Sequence, residues 1–353
     1  MLQQTPTQPA AQRSFNFALF LAGCLWIVAA SSAASHAAQG IADRLNLPLA
    51  AGLLEQAFFL FLLICGFATI RWLSTRLDVG LRSTNALPSR PTAPREWMRG
   101  AALGWGMLLV AVLPMAFSRV LYPQLWLSAG AWGLAFLSLV TLALYTLALE
   151  VAFRGFIFAR LIAAIGPVAA TIVLSLIYAI ASSSRPYSTS LSVAVAFFAG
   201  ILYSQAYLRT HALWLGWGVH FAWDATMAVL LGLPVAGYGT YSSVVQTGTG
   251  GADWLTGGAY GPEGALFTVF VMLGGMIVLY RMSRDYAWNY THPPIIPAGY
   301  AVVVAPPAAH TAMEAAAAPV PLVQILSTTS GAASTMPVIE QHLRGESTLP
   351  PTD

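Results

Sequence analysis

The chain is predicted to fold as an all-α, polytopic transmembrane helix bundle of about eight spans, followed by a disordered C-terminal tail. Three observations lead there. Charged residues make up 8% of the sequence against 57% hydrophobic, with a mean hydropathy of +0.68; a soluble domain carries about a quarter charged residues. Apolar runs near the roughly 17–25 residues needed to cross a bilayer recur along the first 280 residues or so. From Tyr286 the composition turns to Pro, Ala, Ser and Thr with no period that could build a core. The net charge of +3 is too small to point to a nucleic-acid partner, and all sixteen basic residues are Arg, a compositional habit and not a chemical signal.

In chain order, the runs fall at Asn16–Ser35, Leu49–Ile70, Met98–Phe117, Leu125–Leu149, Val168–Ser182, Leu191–Leu208, Leu213–Leu233 and Ala265–Leu279. The fifth and eighth are short, and the fourth has room to continue past Arg154. The first run, with Arg13 before it and Ser35-His36-Ala37 after it, also has the outline of a signal peptide. Its apolar stretch is long for a signal core, which favours an uncleaved helix. Residues 1–13 are then a cytoplasmic N-terminus, 14–285 a transmembrane domain with its motif core at 125–224, and 286–353 a Pro/Ala-rich cytoplasmic tail.

Arginine placement sets the orientation. Arg71, Arg76, Arg82, Arg90, Arg95 and Arg99 crowd the loop between the second and third runs. Arg13, Arg154, Arg160, Arg209, Arg281 and Arg284 fall on the same side if the spans alternate, and only Arg44, Arg119 and Arg185 fall opposite. The positive-inside rule places both termini in the cytoplasm, and the basic loop can lie along anionic headgroups. The Asn289-Tyr290-Thr291 sequon then lies on the side where it has no meaning. Gly100 and Gly104 make a small-xxx-small step suited to helix packing. Cys24 and Cys65 lie in apolar runs and read as small buried hydrophobes; two cysteines build neither a disulfide framework nor a thiolate metal site. Glu263, after Gly261-Pro262, is placed to favour the N-terminus of the last span.

Two polar pairs break the apolar runs. Glu150 and Arg154 share a helix face at i, i+4, as do His220 and Asp224. A charge at membrane depth is expensive and normally faces a partner or a wet cavity. Helix-to-helix bonding explains such pairs without any activity, and a site inside the membrane explains them with one. Turn counting favours convergence. Gly166-Pro167 is a turn, and Glu150 and Ser182 each lie sixteen residues from Gly166, about 24 Å along antiparallel helices. His220 and Asp224 rise about 15–21 Å from the next turn near Arg209-Thr210. Glu150, Ser182, His220 and Asp224 are therefore expected in one layer of the bundle.

The segments ALEVAFRGFIFARL, LSLIYAIASSS and FFAGILYSQAYLRTHALWLGWGVHFAWD resemble the three motifs of the CPBP intramembrane proteases, a family that includes the type II CAAX prenyl endopeptidases and bacterial proteins often called Abi. The late segment GGADWLTGGAYGPEGALF is also similar to a stretch of bacterial members. The resemblance is close over Leu125 to Asp224. The family motifs read E-E-x-x-x-R, F-x-x-x-H and H-x-x-x-N or D. Glu150 and Arg154 match the second Glu and the Arg, with Leu149 in place of the first Glu. Tyr178 stands for Phe and Ser182 for the middle His, while His220 and Asp224 match the third motif intact.

The resemblance implies an intramembrane endopeptidase of the bacterial inner membrane whose partners are membrane lipid and a peptide or membrane-protein substrate. It implies Glu150, His220 and Asp224 as a candidate residual catalytic site, supported by Arg154, Tyr178 and Ser182. By resemblance alone it also brings a possible divalent metal such as zinc, for which His220, Asp224 and Glu150 are the available ligands. In the family the first Glu and middle His are held to activate water, and both are replaced here. Hydrolysis needs a base for water and a group to hold the oxyanion. Leu149 accepts no proton, a serine hydroxyl is a poor base, and Glu150 is turned about 100° from Leu149 round the helix. Three readings follow: an impaired or divergent homologue that binds peptide segments, an active endopeptidase or metallopeptidase using His220 and Asp224, and a small-molecule or ion transporter. The transporter lacks the internal repeats and broken helices common in that class. The substrate or client, metal dependence and oligomeric state are not legible in the sequence.

Overall fold

A computed structural model describes residues 10–76, 86–239 and 244–283. The N-terminal residues 1–9, the middle of the basic loop and the expected tail, with its sequon, lie outside the described residues. Apolar helices dominate: α1 (Ala10–Leu45), α2 (Ala51–Arg76), α3 (Ala93–Phe117), α4 (Ala129–Arg154), α5 (Phe156–Ile165), α6 (Pro167–Ser183), α7 (Ser190–Thr210) and α8 (Trp214–Ala225). After them come a one-turn helix, α9 (Asp253–Thr256), and α10 (Leu266–Met282). Among the described residues, five helical stretches are long and apolar enough to cross a membrane, and α6 and α10 are shorter apolar helices. The protein is a multi-pass, membrane-embedded helix bundle.

Two findings depart from the sequence reading. The fourth run does not begin its helix at Leu125. Residues Leu121–Leu125 form a strand, β1, paired antiparallel with β2 (Val245–Thr249) in register Leu121 with Thr249. The helix starts only at Ala129, where the Ser128 hydroxyl accepts from Ala131 N at 3.2 Å and satisfies an otherwise orphaned first-turn donor. The first helix, at 36 residues, is much longer than its apolar run. The alanines Ala30, Ala34, Ala38 and Ala42 bury a stripe at i, i+4 that starts within the apolar run and continues past its end.

Hydrogen bonds group the helix ends. Arg13 Nε donates to Ala164 O (2.9 Å), Arg90 Nη1 to Thr210 O (3.1 Å) and Arg209 Nε to Ser283 Oγ (3.0 Å), forming an arginine-rich end. Arg119, Arg185 and the β1–β2 ribbon belong to the opposite, arginine-poor end. Cys24 is half-buried and Cys65 exposed, so only the first is an interior hydrophobe.

Among the described residues, a small apolar cluster joins Ala131 and Ala135 of α4 to Val244 beside β2, and two large ones fill the interior. One gathers α3, α7, α8 and α10 around Leu108, Met115, Leu202, Trp223 and Met272. The other gathers α1, α2, α5 and α6 around Leu63, Phe158, Leu161 and Leu174. α4 contributes to both, through Leu142 to the first and Ala148 and Ala152 to the second. The small-xxx-small step works as expected. A Cβ at Gly100 would run into Leu215 O and one at Gly104 into Val219 O, so α3 and α8 meet backbone to backbone.

Candidate functional site

The α4–α5 break positions the first polar pair. Gly155 ends α4 directly after Arg154, and a Cβ there would strike Val151 O, so the chain bends where only glycine fits. Glu150 and Arg154 are both fully buried, with the Glu150 Oε1 to Arg154 Nη1 distance at 3.6 Å. Arg154 Nη2 donates to Gly200 O on α7 (3.4 Å). Its guanidinium lies 4.8 Å from the Tyr178 ring centroid and 5.1 Å from that of Tyr203, a desolvated cation against two aromatic faces.

α8 carries the second pair into the same place. His220 Nδ1 donates to Glu150 Oε1 at 2.9 Å, and His220 Nε2 faces Asp224 Oδ2 at 3.7 Å. The ring stacks on Tyr203, with centroids 4.6 Å apart and planes at 17°. Immediately after Asp224 the helix widens into a π turn, Thr226–Leu230, a local distortion often found beside functional positions. Trp217 Nε1 donates to Ala143 O (3.2 Å) and Trp223 Nε1 to Glu263 Oε1 (3.1 Å), fixing the roll of α8. Glu263 thus has a different role from the expected helix-start carboxylate. Its other oxygen accepts from Ala236 N at 2.9 Å, so it clasps α8 to the arginine-poor loops.

Glu150, Arg154, His220 and Asp224 therefore form one contiguous buried tetrad, with Tyr178 against the guanidinium. Ser182 is buried one turn beyond Tyr178. Its hydroxyl donates to Ala179 O (2.7 Å) within its own helix and bonds none of the tetrad. Arg154 lies in the core beside Glu150, as the i, i+4 spacing expects, and so does not belong with the arginines at the helix ends. Tyr203 and Gly200 were not singled out from sequence, because an aromatic and a glycine in an apolar helix carry no signal of their own.

The donor geometry does not suit a metal. Glu150 engages one ring nitrogen of His220 and Asp224 faces the other, so the two carboxylates approach opposite edges of the imidazole and cannot meet the ring at a single ion. Among the described residues no group of three His, Cys, Asp or Glu side chains is gathered as a ligand set.

Beside the tetrad, toward the arginine-poor end, lies a cavity of about 820 Å³ between α1, α2, α4 and α6. Phe59, Leu142, Leu149 and Phe153 line it with apolar surface; Ser31, Glu55, Gln56, Thr141 and Arg185 give it polar groups. Leu149 faces this cavity, while Glu150 is turned away into the tetrad. Arg185 Nη2 donates to Tyr145 OH at 3.1 Å.

Fold and site together define a multi-pass α-helical membrane protein with charged groups buried among its helices. The family model for Type II CAAX prenyl endopeptidase Rce1-like proteins matches residues 130–226, a little over a quarter of the chain that holds every site residue named from the motifs. Over these residues the chain is similar to the type II CAAX prenyl endopeptidases, the group that the sequence motifs resemble. No curated protein and no solved structure matches the chain.

Proposed function

We propose that the protein is an impaired or divergent CPBP-family homologue that binds membrane-embedded or C-terminal peptide segments without hydrolysing them efficiently. The observation that carries this reading is the side chain on α4 that meets the cavity. It is Leu149, an alkyl group where the family resemblance calls for a carboxylate. Ser182, in place of the middle His, donates its hydroxyl to its own helix. The remaining carboxylate, Glu150, is held by His220 and Arg154 and does not line the cavity. No base is presented there at the position where the family resemblance would have water activated. The cavity keeps the shape and amphipathic lining suited to a peptide segment.

The resemblance to bacterial members and the arginine asymmetry support a bacterial inner membrane, with both termini in the cytoplasm. A second reading is favoured by one contact. The 2.9 Å bond between Glu150 and His220 is a carboxylate–imidazole pair of the kind that can move a proton, and a divergent peptidase would use it with Asp224. The test is the full chain in nanodiscs, offered fluorescent membrane-embedded and C-terminal peptides. Saturable binding with no new fragments by mass spectrometry is expected; fragments that vanish in His220→Ala would transfer support to the second reading.

A further inference from the structure

The cavity beside Leu149 carries a charge that the tetrad does not explain. Glu55 is the only carboxylate in α2, and it lines the cavity half-buried. Among the described residues it makes no ion pair and no side-chain hydrogen bond. Arg185 lines the same cavity but is engaged with Tyr145 OH at 3.1 Å. Glu55 lies sixteen residues before Arg71, so it sits about 24 Å from the arginine-rich end, near the opposite interface. An anion in that position, with apolar surface beneath it, matches a long side chain that buries its stem and carries its charge at the tip.

We infer that the cavity selects peptide segments bearing a lysine or arginine near the arginine-poor membrane interface, with Glu55 as the counter-ion; this rests on the reading that the cavity holds a peptide. Phe59 and Leu149 contact the apolar stem, Glu55 and Gln56 meet the cationic head, and Arg185 disfavours a second cation beside it. An acidic segment would meet Glu55 as a like charge and be rejected.

The test uses the full chain in zwitterionic-lipid nanodiscs and a labelled peptide with a Leu/Ala transmembrane core. One form carries a single Lys at the outer interface and the other carries Gln at that position. The native protein is expected to bind the Lys peptide about tenfold more tightly, the scale of one charge-assisted contact. Glu55→Gln should remove that preference, so that the Lys and Gln peptides bind alike, and an unchanged far-ultraviolet circular dichroism spectrum reports that the variant is folded. Glu55→Lys should invert the preference toward a Glu-bearing peptide. Equal binding of the Lys and Gln peptides by the native protein, or a Lys preference that survives in Glu55→Gln, overturns the inference and leaves the proposed function standing. Binding of neither peptide, with a lipid retained in native mass spectrometry, overturns both.

Discussion

Replacing Arg154 by Met should destabilise the protein by about 3 kcal/mol, and the reasoning is specific to this pair. Arg154 and Glu150 have no exposed surface. Breaking a buried ion pair from one side costs roughly 3–5 kcal/mol, because the partner's charge is left without compensation. His220, at 2.9 Å from Glu150, retains part of that compensation, which places the cost near the lower bound. Met preserves most of the apolar contact, so the loss lies chiefly in the charge, the bond to Gly200 O and the placement over Tyr178 and Tyr203. Glu150→Gln alone should cost a similar amount by leaving the guanidinium without its anion. The double variant should then cost well under the sum, with a coupling of about 2 kcal/mol. Reversible SDS-induced unfolding in mixed micelles, followed by far-ultraviolet circular dichroism, measures all three. Single losses below about 1 kcal/mol that simply add would mean the pair exchanges with water, and its structural role would be wrong.

Three further outcomes are expected. Gly104→Val puts a branched side chain against Val219 O at the α3–α8 contact and should cost about 1–3 kcal/mol by overpacking, read in the same unfolding assay. His211, in the turn between α7 and α8 at the arginine-rich end, is held below its ordinary pKa by burial and by Arg90. The folded state therefore favours the neutral ring: stability is full above the ordinary value and falls as pH drops through the lowered one, a slope that His211→Gln should flatten in pH-dependent melting. Maleimide applied from outside should label a cysteine at Gly250, beside β2, and spare one at Pro88, whose carbonyl accepts from Trp214 Nε1; the reverse pattern would invert the proposed orientation.

Much of the bundle was legible because lipid leaves the backbone few choices. An apolar run of membrane length must satisfy its peptide groups internally, and the helix does so. The i, i+4 spacing of Glu150 with Arg154 and of His220 with Asp224, joined to turn counting, places Glu150, His220 and Asp224 at similar depth from the sequence, and the contact of Glu150 with His220 agrees with it. The β1–β2 ribbon was not legible, since LYPQL and VQTGT are too short and too far apart in sequence for local pattern to pair them. Ser182 shows the limit of depth counting: height along a helix says nothing of a side chain's partner, and its hydroxyl bonds its own helix carbonyl, as serines in apolar helices readily do. Glu263 misled because a carboxylate before a helix ordinarily serves that helix, whereas here two donors from elsewhere in the fold claim it. Glu55 gave no spacing to read, because its significance comes from the cavity wall that α1, α4 and α6 complete.

The central claim is that the cavity has lost the groups that activate water, and one comparison tests it most directly. Native protein and the double variant Leu149→Glu with Ser182→His are incubated in nanodiscs with the same peptide panel, and cleavage is followed by mass spectrometry. The native chain should release no fragment above the rate of a protein-free control, while the double variant places a carboxylate at the cavity-facing position of α4 and an imidazole one turn beyond Tyr178. Gain of cleavage in the double variant, abolished again by His220→Ala, is the expected result. Cleavage by the native chain that disappears in His220→Ala would contradict the claim and establish a peptidase working from Glu150, His220 and Asp224.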